Sequence, residues 1–164
     1  MTIGELLTEQ ANSRPEAVAL VDDALNRRLT FKELEYEVAH AAAWWKQQGL
    51  SRGQAVLVFV PMCADLYVAM LALFRIGAVA MFLDPSAGSE HIEQCCERWR
   101  PHAFLAIPKA HLLRFKSSAL RKIPLKVTTR GWVPAARRWP QSWRTTALHE
   151  SLAQPYDPAL VTFT

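Results

Sequence analysis

A chain of 164 residues with 51% apolar and 21% charged side chains has the balance of a soluble globular domain and excludes a disordered polymer. Its net charge of +4 conceals an asymmetry: residues 1–97 carry seven Lys or Arg against thirteen Asp or Glu, and residues 98–164 carry twelve against two. The basic half admits nucleic acid, anionic lipid or an acidic protein as partner, but a simpler reading is that the rest of a larger protein faces it.

The first residues, Met1 to Leu7, contain Glu5 and no basic run, so they do not read as a secretory signal. Ile3 to Asn12 places Ile3, Leu6, Leu7 and Ala11 on one helical face, and Ala17 to Asp22 reads as a strand. Asp23 to Arg28 reads as a turn-like connection. Thr30 opens the clearest helix, because Thr30-Phe31-Lys32-Glu33 is a capping box in which hydroxyl and carboxylate each satisfy one end amide. Phe31, Leu34, Val38, Ala41, Ala42 and Trp45 follow at helical spacing, and Gly49 stands where a left-handed residue ends the helix.

From Ala55 to Leu83 the chain is almost wholly apolar, yet Pro61, Asp65, Arg75 and Gly77 divide it into pieces too short to cross a bilayer. It reads instead as a strand over Gln54–Val60, a helix over Cys63–Ile76 and a strand over Ala78–Asp84. A helix near Ser89–Trp99, a strand Ala103–Ile107, a helix Lys109–Lys122 and a strand Pro124–Thr129 follow. Gly131 to Arg144, with three Trp, two Pro and no period, reads as loop, and Ala159–Thr164 as a final strand. Strands this apolar, alternating with helices, predict a parallel α/β sheet covered on both faces. Ligands of such sheets collect at the carboxyl ends of strands, which directs attention to Asp84-Pro85-Ser86-Ala87-Gly88 and to Thr164.

Candidate chemistry is thin. The six glycines make neither dinucleotide nor phosphate-loop fingerprint. Ser86-Ala87-Gly88-Ser89 can offer amides to an anion, but without a nearby Lys an ordinary cap turn is the plainer reading. His91 and Cys95 lie four apart, with Glu90 and Cys96 close by, yet a metal site needs a third ligand that no second pair supplies. No Ser or Cys is set beside a His as a nucleophile. Three cysteines, two of them the neighbours Cys95 and Cys96, do not make a disulfide framework and fit a reducing cytoplasm. The helix from Lys109 carries Ala110, Leu113 and Leu120 near one face with Arg114, Arg121 and Lys122 flanking. That pattern seals a sheet or, less simply, lies on a membrane or partner. Trp132, Trp139 and Trp143 among Arg130, Arg137, Arg138 and Arg144 resemble a stacking platform, but no nucleic-acid motif surrounds them, and nucleic acid is not an expected partner.

Four ordered blocks carry a family resemblance. Pro15-Glu16-Ala17-Val18-Ala19-Leu20 followed by Leu29-Thr30-Phe31-Lys32-Glu33-Leu34, then Gly53 to Pro61, then Leu71 to Val79, resemble the opening of the adenylate-forming superfamily of acyl-CoA synthetases, peptide-synthetase adenylation domains and luciferases. Ala159 to Thr164 fits the strand that leads into that family's phosphate loop. Met62 departs from the pattern, since many members carry Asn there. Leu83 to Gly88 and Ala106 to Leu112 further resemble the β-lactone synthetases of long-chain olefin biosynthesis. The resemblance implies that residues 1–164 are the incomplete N-terminal part of a doubly wound, AMP-binding large domain. It implies a parent enzyme that uses ATP and Mg²⁺ to adenylate a fatty or β-hydroxy fatty acid, in the company of other proteins of an olefin pathway. The phosphate loop, the acidic magnesium and ribose contacts and the mobile C-terminal lysine are expected beyond Thr164, so no residue here is assigned a catalytic, cofactor-binding or metal role. The isolated chain is expected to be inactive and to self-associate through Leu160, Val161 and Phe163. A non-catalytic module docking through its basic surface is the alternative.

Overall fold

A computed structural model describes residues 1–84, 86 and 88–163. They form two compact units: Met1–Gly53, Pro61–Ala78 and Ser142–Ala159 make one, and Gln54–Val60, Val79–Gln141 and Leu160–Thr164 make the other.

The first unit contains α1 (Ile3–Ser13), β1 (Val18–Asp22), β2 (Arg27–Thr30), α2 (Phe31–Gln47) and α3 (Ala64–Arg75). Thr2 caps α1: its amide donates to Glu5 Oε2 at 2.6 Å and its hydroxyl accepts from the Glu5 amide at 3.3 Å. This is a second capping box, Thr2-Ile3-Gly4-Glu5, legible by the same rule as the first but not read from the sequence. The buried face of α1 is Gly4, Leu7 and Ala11. Ile3 and Leu6, expected on that face, are 43% and 40% exposed. The cause is close approach: a Cβ on Gly4 would sit 3.5 Å from the Arg75 backbone and 3.3 Å from Ser151 Oγ, so this side of the helix is pressed inward.

The connection expected over Asp23–Arg28 is shorter than the sequence suggests. Arg27 begins β2, which pairs antiparallel with β1 (Asp22 opposite Arg27), and the hairpin stands apart from the parallel sheet. Opposite charges facing each other across the strands favour this pairing. Asp22 also accepts the Ala64 amide at 2.7 Å, satisfying a first-turn donor of α3 that Cys63 leaves uncapped. At α2 the capping box forms as expected, with Thr30 N–H to Glu33 Oε2 at 2.8 Å and Glu33 N–H to Thr30 Oγ1 at 3.2 Å. Gly49 takes φ +88° beyond the helix end, a conformation that a side chain would strain.

Inside this unit the polar centre is Arg75, which is fully buried. Its guanidinium grips Glu35 with two bonds, Nη1 to Oε1 at 2.9 Å and Nη2 to Oε2 at 2.6 Å. It also donates to the Leu148 and Gly4 carbonyls and to Thr8 Oγ1. One side chain thus ties α1, α2, α3 and the segment near Leu148 together. The planar guanidinium fork suits this task as an ammonium would not.

The second unit holds one parallel sheet in the order β7-β6-β5-β3-β4-β8. Its strands are β3 (Ala55–Phe59), β4 (Val79–Phe82), β5 (Ala103–Ala106), β6 (Leu125–Thr128), β7 (Arg137–Arg138) and β8 (Leu160–Thr162). The apolar stretch from Ala55 to Leu83 is therefore β3, α3 and β4, and among the described residues no helix is long and apolar enough to cross a membrane. Leu57 and Phe59 of β3 and Phe104 and Ala106 of β5 share a core with Ile92, Cys95 and Cys96 of α4 (Ser89–Trp99) and with Leu120 and Ile123. Phe59 and Phe104 meet edge to face at 5.5 Å.

Two expectations fail in this unit. Lys109–Lys122 is not one helix but a 3-10 helix, Ala110–Phe115, and a short α5, Ser118–Lys122. Ser117, between them, is extended. The Glu93 carboxylate reaches across from α4 to accept the Ser117 hydroxyl at 2.7 Å, the Ser118 hydroxyl at 3.1 Å and the Ala119 amide at 3.1 Å. A carboxylate at a fresh helix start is better satisfied than one beside an unbroken helix whose amides are already engaged. Gly131–Arg144 is mostly loop, as its composition suggests, but Arg137–Arg138 pairs with Val127–Thr128 as β7. The Trp139 amide then donates to Thr128 O at 2.8 Å, and the side chain is buried at 2% exposure.

Candidate active-site edge

Parallel pairing fixes which ends of the sheet converge. Ala80 lies opposite Leu160, Met81 opposite Val161 and Phe82 opposite Thr162, so β4 and β8 finish at the same level. The segments after them, Leu83–Asp84 and Phe163, emerge together at the carboxyl edge, where α/β sheets collect ligands. Phe163 packs against the core cluster that includes Leu83 and Phe59. Asp84 is exposed and turns its carboxylate onto the chain ahead: Oδ1 accepts the Ser86 hydroxyl at 2.7 Å and the Ser86 amide at 2.8 Å. These bonds, the hydroxyl first, hold the Asp84 carboxyl below the usual range, so it is a committed anion in a local turn. Gly88 precedes α4 at φ +89°. Pro85, Ala87 and Thr164 lie outside the described residues, and the anion-turn reading of Ser86 to Ser89 and the strand end at Thr164 fall partly on them. No lysine occurs between Lys46 and Lys109 to neutralise a phosphate at this turn.

At the neighbouring strand ends Thr128 and Thr129 are engaged, and His111 is held by one of its two ring nitrogens. Thr128 Oγ1 donates to Arg130 O at 2.8 Å, and the Thr129 amide donates to Ala106 O at 3.1 Å. His111 is buried against Phe104, with one ring nitrogen 3.1 Å from Val127 O. Burial pushes its pKa down, aided by Arg114 and Lys126 and opposed by the Val127 bond, so its ring is neutral and structural.

The other candidates resolve without a reaction centre. His91 Nε2 and Cys95 Sγ do come together, at 3.6 Å. Among the described residues no three His, Cys, Asp or Glu side chains gather as a metal site. Burial raises the Cys95 thiol and pushes Cys96 up to about 12, the opposite of a thiolate poised to ligate or attack. A groove of about 380 Å³ is lined by Glu93, Cys96, Arg100, His102, Lys122 and Ile123. Arg100 and His102 precede β5 and Ile123 precedes β6, so the groove opens at the amino ends of the strands, opposite the edge at which ligands are expected. The stacking platform does not form as imagined, because Trp139 is buried while Trp132 is 83% exposed. The residue the sequence reading missed is Arg75: it reads there as a break in an apolar run, and its partner Glu35 is 40 residues away, with no local signal to join them.

This scaffold has close counterparts among solved structures. Superposition on a benzoate CoA ligase from Burkholderia xenovorans gives a TM-score of 0.78 over 98% of this chain and 32% of that one, at 16% identity, a likeness of fold. In sequence, an olefin β-lactone synthetase of Stenotrophomonas maltophilia is 30% identical over 135 residues, covering 74% of this chain and 24% of that protein. A medium/long-chain fatty acid–[acyl-carrier-protein] ligase of Mycobacterium tuberculosis is 33% identical over 125 residues, covering 76% and 23%. The chain thus spans about a quarter of the length of these relatives. The model of the AMP-binding enzyme family matches residues 7–164, nearly the whole sequence, and the chain belongs to that family.

Proposed function

We propose that residues 1–164 form the N-terminal part of the large domain of an ATP-dependent, acyl-adenylate-forming ligase that acts on a fatty or β-hydroxy fatty acid. The observation that carries this is the family match over residues 7–164. The substrate class follows the relatives, an olefin β-lactone synthetase and a fatty acid–[acyl-carrier-protein] ligase. The paired ends of β4 and β8 support it, since they deliver two segments side by side to the edge where a nucleotide would bind.

The residues present do not by themselves fit ATP or Mg²⁺. Asp84 is satisfied within its own turn, no glycine-rich cradle occurs, and among the described residues no carboxylate cluster is available to a cation. On this reading the 164 residues supply the sheet edge against which other parts of a longer protein position the reacting groups, and alone they catalyse no adenylation. The test is fatty-acid-dependent exchange of pyrophosphate into ATP. The chain alone is expected to give no exchange above a boiled control. A chimaera in which it replaces the corresponding quarter of the fatty acid ligase is expected to exchange with medium- and long-chain acids. Exchange by the chain alone refutes the missing-cradle argument, and a folded chimaera indifferent to fatty acids refutes the substrate class.

A further inference from the structure

The 3-10 helix Ala110–Phe115 carries a feature that neither the fold nor the sheet edge uses. With three residues per turn, side chains three apart stand in one row. His111 and Arg114 form an inward row: His111 is buried against Val127 O, and Arg114 donates to Pro134 O at 3.0 Å. Ala110 and Leu113 pack on the core. The third row, Lys109, Leu112 and Phe115, faces out, with Leu112 60% and Phe115 81% exposed. The bond from Arg114 draws the loop after β6 against this helix, and Gly131 lies so near Pro108 that a Cβ there would sit 3.7 Å from its Cγ. That loop presents Trp132, 83% exposed.

Around these three apolar tips the exposed charges are all of one sign: Lys109, Lys116, Arg121 and Arg130. No Asp or Glu occurs from residue 99 to residue 149. The nearest acid of α4, Glu93, spends its carboxylate on Ser117, Ser118 and Ala119. The half-buried Arg114 and Lys126 add to the field.

We propose that this corner is a docking surface for an anionic phospholipid bilayer, with Phe115 and Trp132 entering the headgroup boundary and the Lys and Arg side chains resting on lipid phosphates. An acidic protein can match the charge and bury aromatics, but protein interface cores are depleted in Lys, which supplies two of these four exposed cations. An anionic bilayer accommodates both the cations and the aromatics, and Trp favours that boundary because its ring is amphipathic. The inference stands independently of the proposed reaction.

The whole chain is mixed with sucrose-loaded vesicles of phosphatidylcholine, alone or with about 30% phosphatidylglycerol, an anionic surface of the kind that attracts basic segments. Partitioning is expected to be at least about tenfold stronger on the anionic vesicles and to weaken with added salt. Replacing Lys109 and Lys116 with Gln is expected to lower it roughly 25-fold, about fivefold per charge. Phe115→Ser with Trp132→Ser is expected to abolish the salt-resistant part of binding. Quenching of tryptophan fluorescence by lipids brominated near the headgroup is expected in the parent and lost in Trp132→Phe, while binding persists. These side chains are exposed, so unchanged circular dichroism and urea midpoints confirm that each variant is folded. Failure to bind anionic vesicles overturns the proposal, as does binding indifferent to Phe115 and Trp132. A stoichiometric complex with an acidic carrier protein, abolished by the same substitutions while vesicles stay unbound, overturns it in favour of a protein partner.

Discussion

Glu35→Leu is the sharpest perturbation of this molecule. Among the described residues Glu35 is the sole carboxylate on the fully buried Arg75, bonded at 2.6 and 2.9 Å, and it also accepts from Thr8 Oγ1 at 3.3 Å. Removing it leaves a guanidinium out of water with only the Gly4 and Leu148 carbonyls and the Thr8 hydroxyl for company. Breaking a buried pair from one side costs about 3–5 kcal/mol, a large share of the roughly 5–15 kcal/mol by which a domain of this kind is stable. Arg75→Met alone leaves the carboxylate partly buried without its cation and takes a donor from the Leu148 carbonyl, a loss of about 1–3 kcal/mol, while the Gly4 carbonyl keeps the Thr8 hydroxyl at 3.1 Å. The double variant removes both charges, so its cost is expected to fall short of the sum of the singles by at least about 1 kcal/mol. The assay is urea unfolding followed by circular dichroism, with and without added salt. Because Arg75 has no solvent exposure, salt is expected to leave the coupling nearly intact, unlike a surface pair. A loss below about 1 kcal/mol for Glu35→Leu, or strict additivity of the two substitutions, refutes the buried-pair argument.

Thr30→Ala is expected to cost about 1 kcal/mol, read as a lower urea midpoint at constant slope, because the Glu33 amide loses its acceptor; an unchanged midpoint refutes the assignment of Thr30 as the cap. Glu93 has its carboxyl held below the ordinary glutamate range by the Ser117 hydroxyl and then by the Ala119 amide. Its stabilisation is therefore complete above the unfolded pKa of about 4.3 and is lost as pH falls through the lower folded value. Urea midpoints measured from neutral pH downward are expected to fall more steeply below that point in the parent than in Glu93→Gln; parallel profiles refute the role of Glu93.

The elements legible in the sequence are those whose causes are local. A capping box, a helical stripe and a left-handed glycine lie within 20 residues of one another at Thr30 to Gly49, and the helix they specify forms between them. Apolar runs such as Ala55–Phe59 and Ala103–Ala106 announce buried parallel strands, because a strand covered on both faces has no polar side to show. What the sequence hides is decided at a distance. The apolar stripe of Ala110, Leu113 and Leu120 suggests one helix, and only Glu93, more than 20 residues earlier, explains why Ser117 interrupts it. Ile3 and Leu6 have the hydrophobicity of core residues but lose the inward face to Gly4, whose advantage is the absence of a side chain. The sheet edge was legible as a place, through Asp84 and the last strand, while the chemistry there was not, since Asp84 serves its own turn.

The pairing of β8 with β4 has a kinetic meaning as well. β3 and β4 meet across a short interval, Ala55 opposite Val79, whereas Ala80 waits for Leu160, about 80 residues later. Closing the longer loop costs about 1 kcal/mol more in chain entropy, and only three residue pairs are there to offset it. The central strands β3 to β6 can therefore assemble during synthesis while β8 is still being made, and contacts this distant in sequence set the slow step of folding. Once formed, β8 is held by three residue pairs along one side, so it belongs with the parts of the sheet that local opening releases readily. The strand that completes the carboxyl edge is thus late to arrive and lightly held, so the edge exists only in molecules that have finished folding.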